Sequence, residues 1–316
     1  MNSADKSRWI KGLANQAGFD LAGIAPAAPV GRAEHYRRWL AAGRAGRMDY
    51  LHWHVETRLD PRRLLPGARS VIMVAHSYYQ PWPASPGDDR PRGRVAMYAW
   101  GRDYHRVMRK RLHALVDQMR EKLAEPFEAR VCVDTAPLLE REWAASAGVG
   151  WIGKNTLVLN AELGSYFFLG AVVTTLELKP DAPITDHCGR CTRCVQACPT
   201  GALDRPYEMD ASKCISYLTI EHRENVPEAL QPLMRDWVYG CDICQQVCPH
   251  NQRVPTTREA DYAVRPPAPS PCLMDLLAWT PEDYDKALRG SAMRRAALPM
   301  LQRNARIALA NAATTG

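Results

Sequence analysis

The cysteines between residues 188 and 248 constrain what this chain can become more than any other feature. Cys188, Cys191, Cys194 and Cys198 form C-x2-C-x2-C-x3-C and precede Pro199. Cys241, Cys244 and Cys248 form C-x2-C-x3-C and precede Pro249, and Cys214 stands alone between the two runs. Thiolates of a C-x2-C turn reach adjacent irons of one cube, whereas the cysteine before each proline is carried away to the neighbouring cube. Three-plus-one sharing then places Cys188, Cys191, Cys194 and Cys248 around one [4Fe–4S] cluster. Cys198, Cys214, Cys241 and Cys244 surround the other. Four thiolates also suit zinc, but zinc motifs usually come as separated C-x2-C pairs rather than three cysteines in step ending in Cys-Pro. The spacing predicts a bacterial-ferredoxin-like domain with two [4Fe–4S] clusters, a wire for single electrons.

Such a domain uses a small part of the 316 residues, which suffice for a large core and more than one domain. Ten cysteines in a chain whose N-terminus lacks an apolar run and a cleavage signature point to metal rather than disulfides. Cys132 and Cys272 are left as buried thiols. A cytoplasmic location is expected, and no membrane: the longest apolar run, Tyr166 to Val173, is too short to span a bilayer. The hydrophobic share of 46% and charged share of 24% are those of an ordinary globular protein. The net charge of +7 allows a polyanionic partner without requiring one.

Along the chain, residues 6–17 carry Trp9, Ile10, Leu13 and Ala17 at helical spacing, with Gly18 as the stop. Residues 19–26 read as a strand, 33–55 as a helix interrupted by Gly43 and Gly46, and Val71–Ala75 as a buried strand. Pro81–Gly93 is a loop long enough to serve as a lid. A strand over 95–100 leads into a helix over 103–123. Val131–Val133 is a strand that delivers Asp134, and the helix after it has Pro137 in its first turn and Gly148 as its stop. Two more strands follow, at 151–160 and 165–178. The pattern predicts an α+β (α/β-like) domain over residues 1–180 and the two-cluster domain over 181–255. Residues 256–316 form a proline-stiff linker at 264–272 and a helical C-terminal part.

Asp134 is the outstanding chemical candidate. It lies at the carboxyl end of an apolar strand, where α/β-type sheets hold ligands, and it is equally placed to cap the next helix. A cap favours the carboxylate, whereas a proton donor needs burial to raise its pKa. The segment from Gly148 to Asn155 nearly matches a nucleotide P-loop. It is rejected because Asn155 replaces the Mg2+-binding hydroxyl and a strand, not a helix, follows. Its glycines serve a turn or a close approach to a bulky ligand. Glu221, His222, Arg223 and Glu224 read most simply as a solvated helix face. After Asp285 no acid remains, while Lys286, Arg289, Arg294, Arg295, Arg303 and Arg306 all follow. Leu301, Ala305, Ala308 and Leu309 form an apolar stripe and Arg303 with Arg306 another face, so a phosphate backbone is a reasonable partner.

From Trp39 to Ala310 the chain resembles the epoxyqueuosine reductases, tRNA-modifying relatives of the reductive dehalogenases. The resemblance rests on GRMDYL, RLDPRRLLPGARSVI, VDTAPLLEREWA, GWIGKNTLVLN, the eight-cysteine frame, SYLTIEHR and SAMRRAALPMLQRNARIALAN. It implies cobalamin in the N-terminal domain beside the two clusters, and a short HEAT-like helical C-terminal part. The implied substrate is epoxyqueuosine in the anticodon wobble position of tRNA, and the product is queuosine. The clusters would pass electrons from an external low-potential donor to the corrin cobalt, and Asp134 would protonate the leaving oxygen. Arg58, Lys154, Ser216 and Asp242 lie in segments that line the corrin in this family, and His222 and Arg223 in the segment facing tRNA. A monomer is the default. Some members continue into further helical repeats beyond the length of this chain. Two rival readings are a reductive-dehalogenase-like cobalamin and iron–sulfur enzyme acting on a small molecule, and a plain electron carrier.

Overall fold

The computed structural model describes residues 1–84 and 87–315. Its centre is a four-stranded sheet in which Leu21–Pro26, Ser70–Ser77, Phe167–Thr174 and Ala129–Cys132 lie in that order, every pair antiparallel. Side chains alternate across the two middle strands. Ile72, Val74 and Val172 pack with Ile10 and Leu13 of the helix Ser3–Gln16 and with Met108 and Leu112 of the helix Tyr104–Lys122. Val71, Met73, Ala171 and Val173 pack with Trp143 and Ala144 of the helix Glu140–Ser146. Helices therefore cover both faces, which is why the middle strands read as unbroken apolar runs. The fold is α+β: with no parallel pair in this sheet, the carboxyl-end rule for α/β folds gives no reason for Asp134 to be functional.

Several elements differ from the sequence expectation, each for a local reason. The helix expected over 33–55 is two, Ala33–Ala41 and Val55–Leu59. Between them Gly43 and Gly46 take φ of +67° and +60°, and a Cβ on Gly46 would lie 2.7 Å from the ring of Tyr217. The strand expected over 95–100 shrinks to Arg94–Val95, which pairs in parallel with Trp237–Tyr239. It gives way to a turn because Asp242 accepts the Met97 N–H at 2.7 Å and the Trp100 indole donates to the Val95 carbonyl at 2.8 Å. The segment 151–160 is a hairpin of two short strands, Trp151–Ile152 and Val158–Leu159. Gly150 lies so close to its partner that a Cβ would be 2.2 Å from the Leu159 carbonyl, so the glycine serves the turn.

The proline-rich linker is docked. Gly93 and Val95 donate to the carbonyls of Pro271 and Pro269, and Leu273 to that of Pro91, each at 2.9 Å. These bonds fasten the end of the Pro81–Gly93 loop, and Trp82 meets Trp100 edge-on at 4.7 Å. The described part of that loop is thus a strap rather than a lid; Ser85 and Pro86 lie outside the described residues. In the C-terminal part the helix Leu273–Ala278 packs on Leu298–Thr315, whose Leu301, Ala305 and Ala308 are buried as the apolar stripe requires. One apolar cluster joins Ile10, Met108, Val238, Leu273 and Leu301, so all three segments share a core. Among the described residues no helix is long and apolar enough to cross a membrane.

Candidate functional site

The two cysteine runs fold alike. Each C-x2-C turn leads into a short helix, Arg193–Ala197 or Ile243–Gln246, and the two helices pack against one another. Cys198, Cys214 and Cys248 have extended backbone, with ψ of 108°, 128° and 126°, which redirects the chain at each. Desolvation raises the thiols of Cys188, Cys194, Cys214, Cys241, Cys244 and Cys248, and nearby thiols add to most of these shifts. Cys248 feels Cys188 and Cys191, and Cys194 feels Cys248 and Cys188. Cys241 feels Cys214 and Cys198, Cys214 feels Cys198, and Cys244 feels Cys241 and Cys214. The influences run mainly among Cys188, Cys191, Cys194 and Cys248 and among Cys198, Cys214, Cys241 and Cys244. Cys194 also acts on Cys244, so the sets adjoin. Among the described residues no three Cys, His, Asp or Glu side chains gather as ligands of a single ion.

A cavity of about 400 Å3 has all four thiols of the second set, Cys198, Cys214, Cys241 and Cys244, in its wall, together with Asp134. That volume lies in the range of cofactor and ligand sites. Ser216 and Asp242 line it too. Burial pushes the Asp242 carboxyl up to about 7, opposed by the Met97 N–H and the Arg94 charge. Tyr104, Phe167, Phe168 and Leu169 supply apolar surface where the strand Phe167–Thr174 begins. Two polar atoms of lining residues, Glu140 Oε1 and Asn155 Nδ2, are buried without a hydrogen-bond partner. Two polar atoms left open in one cavity wall suit a ligand bearing complementary polar groups.

Asp134 is not a helix cap. The helix begins at Glu140, six residues on, behind Leu139, which makes no side-chain cap bond. Asp134 itself is in the left-handed region at φ +57°, uncommon for a residue with a side chain. Its carboxylate is 60% exposed and 3.0 Å from His105 Nε2. Desolvation pulls the carboxyl upward, but the hydrogen bond and charge of His105 outweigh it, with Arg295 and Arg141 assisting, and hold Asp134 below its ordinary range. Burial pushes Glu140 up to about 8; its own N–H and that of Asp134 oppose the shift and the Asp134 charge adds to it.

Two family profiles match the chain: "Epoxyqueuosine reductase QueG, DUF1730" over residues 58–135 and "4Fe-4S double cluster binding domain" over 187–251. An epoxyqueuosine reductase of Leadbetterella byssophila is 40% identical over 95% of this chain and 97% of its own length. One of Pseudomonas aeruginosa is 41% identical over 97% of this chain and 85% of its own. The chain belongs to the epoxyqueuosine reductase family. Among solved structures, an epoxyqueuosine reductase with an epoxyqueuosine-modified tRNA-Tyr stem loop superposes with a TM-score of 0.92 at 31% identity, covering 98% of this chain and 82% of that one. In this member of the epoxyqueuosine reductase family, the first matched stretch ends at the Asp134 loop and the second carries the cysteines. The cavity is where they meet.

Two expected cavity residues are elsewhere. Arg58 donates to the carbonyls of Tyr50 at 2.9 Å and Trp53 at 3.3 Å. Lys154 Nζ donates to the carbonyls of Gly189 at 2.6 Å and Cys191 at 3.0 Å, bracing the loop of the first cysteine set. Arg303 is also spent internally. Its guanidinium donates to the carbonyls of Leu218 and His222, each at 2.6 Å, and to that of Glu224. Arg306 and Arg223 are exposed, and His222 is half-buried with Nε2 on the Asn225 carbonyl. The Glu221–Glu224 cluster is a turn beyond the helix Ile215–Ile220, and Glu221 forms a two-bonded pair with Arg295 at 2.9 and 2.8 Å. Arg295, which the sequence named only as one of a basic series, lies over Tyr50 and acts on Asp134; His105, Tyr104 and Glu140 were not singled out.

Proposed function

We propose that this chain reduces epoxyqueuosine in the wobble position of tRNA to queuosine, the final step in making that nucleoside. It would hold cobalamin in the cavity and a [4Fe–4S] cluster on each cysteine set. The observation that carries the reading is a single cavity whose wall contains both Asp134 and the whole second thiol set, in a chain 40% identical to an epoxyqueuosine reductase. A plain electron carrier has no use for such a cavity, and the family assignment tells against a small-molecule dehalogenase. Bound there, the clusters relay single electrons and cobalamin supplies a strongly reducing cobalt.

Removing the epoxide oxygen consumes two electrons and two protons and releases water. Asp134 is placed to give the leaving oxygen its proton. Ser216, Asp242, Glu140 and Asn155 offer polar groups to the cofactor's periphery, and Tyr104 and Phe168 exclude water. Arg223, Arg306 and His222 are available to the tRNA backbone, while Arg303 holds their loop. This assigns cobalamin binding to residues 1–180, the clusters to 181–255, and a HEAT-like helical part to 256–316. The protein works in the cytoplasm as a monomer with an external low-potential electron donor.

The test is anaerobic loading with iron, sulfide and cobalamin, then incubation with reductant and epoxyqueuosine tRNA. Nucleoside mass spectrometry should show loss of one oxygen. A fully loaded chain that leaves the epoxide intact would overturn the reading.

A further inference from the structure

The helix Tyr104–Lys122 is entered through Asp103, and the entry does more than start a helix. Asp103 Oδ1 accepts the His105 backbone N–H at 3.0 Å and faces His105 Nδ1 at 2.6 Å. Across the ring, Nε2 is 3.0 Å from Asp134 Oδ2. Tyr104 stacks on the imidazole at 4.1 Å and lies flat on Phe168, also at 4.1 Å, so the ring is held in plane. A neutral imidazole has one N–H and would turn a lone pair toward one of the two carboxylates. With a carboxylate on each nitrogen, the ring must carry both protons. Desolvation works against that charge, but the bonds to Asp103 and Asp134 prevail and raise His105 to about 9. The other charged or titratable groups around His105 and its two carboxylates include Arg109, Arg141, Arg295 and Glu140, with Tyr50, Tyr98, Tyr104 and Tyr239.

We propose that His105 is a positioning residue that hands Asp134 the proton it gives to the leaving oxygen, with Asp103 fixing the ring. The inference rests on the functional reading above and deepens it. In the step, the Nε2–H bond breaks as the proton moves to Asp134 Oδ2. The Asp134 O–H then breaks as the same proton passes to the oxygen, whose bond to the ring carbon opens with the bonding pair left on oxygen. The two electrons come from the external donor, and the second of the two protons follows by the same route once Nε2 is reprotonated. His105 is left neutral, keeping Nδ1–H on Asp103, and Asp134 is again a carboxylate. Solvent restores the lost proton to Nε2, which the 24% exposed His105 side chain allows. A carboxylate held below its ordinary range can act as an acid because its donor is bonded to it.

The experiment uses the cluster- and cobalamin-loaded chain in single turnover on epoxyqueuosine tRNA across pH. The unaltered chain should keep a level rate until about 9, the His105 value, and then fall tenfold per pH unit. His105→Gln, which has no titrating proton, should lose roughly 10²-fold at neutral pH, the low end of what a proton-transfer group contributes. Its decline should begin in the carboxyl range, while tRNA affinity and corrin uptake stay unchanged. Asp103→Asn keeps the helix cap and should move the alkaline limb toward the ordinary imidazole range. Nitrogen-15 NMR of the loaded chain without tRNA should show both His105 nitrogens protonated at neutral pH. A His105→Gln enzyme with the original rate and limb, an unmoved limb in Asp103→Asn, or a singly protonated ring would each overturn the proposal. Were the unaltered chain inert on epoxyqueuosine tRNA, the functional reading would fall instead, and the NMR result would still judge the clamp.

Discussion

Arg303→Ala separates what the C-terminal helix does from what its charge suggests. The guanidinium satisfies the carbonyls of Leu218 and His222 in part-buried surroundings and that of Glu224 at the surface. Burial has already lowered its pKa, as expected of a cation tucked into the protein. Water can replace it at Glu224 but less readily at the other two. A hydrogen bond to a charged donor contributes roughly 1.5–3 kcal/mol net. Two such bonds, discounted for partial exposure, give a loss of about 2–4 kcal/mol. For a chain of this size that corresponds to a fall in melting temperature of roughly 3–6 °C. The assay is anaerobic thermal unfolding of the cluster-loaded chain, followed by circular dichroism, with Arg306→Ala as the exposed control. Removing a cation that neutralises one phosphate should flatten the salt dependence of tRNA binding by about 0.7–0.9 in log–log slope. Arg306→Ala should do that without changing the melt. If Arg303→Ala melted like the parent and flattened the slope, the structural role argued for Arg303 would be refuted.

Asp134→Asn should retain clusters and corrin yet lose turnover by roughly 10²–10⁴-fold, the usual reach of a general acid, measured by nucleoside mass spectrometry. Cys214→Ala should halve the bound iron and sulfide, because one thiol set loses a corner while Cys188, Cys191, Cys194 and Cys248 are untouched. Glu140, raised from 4.5 to about 8, binds a proton more tightly in the folded chain than in the unfolded one. Its contribution to stability is present below 4.5 and is lost as pH rises through about 8. Urea unfolding from acid to alkaline pH should therefore show a decline that Glu140→Gln removes.

The double-cluster domain was legible because the spacing of ligands along a tight turn is a local property. The central strands were legible for a similar reason: Val71 to Ala75 is apolar on both faces because both faces are covered. What failed depended on long-range geometry. Lys154 lies beside glycines and an asparagine that suggested a ligand, yet its ammonium crosses to carbonyls of the 188–191 loop. Arg303 belonged to a basic series with no acid after Asp285, and composition cannot see that backbone carbonyls take up a guanidinium. His105 was missed because Asp103 and His105 look like an ordinary helix start; only the fold brings Asp134 to the far nitrogen. At Asp134 the start of the next helix at Glu140 excludes the cap reading and leaves the acid as a proposal.

The central claim is that the cavity running from Asp134 to the second thiol set receives the corrin ring. It is tested most directly by titrating cobalamin into the cluster-loaded chain and following the corrin absorption, beside a Ser216→Trp variant that fills the cavity wall. The unaltered chain should take up cobalamin, and the variant should lose that uptake while keeping its iron–sulfur absorption. Undiminished corrin binding by the variant, or none by the unaltered chain, would contradict the account.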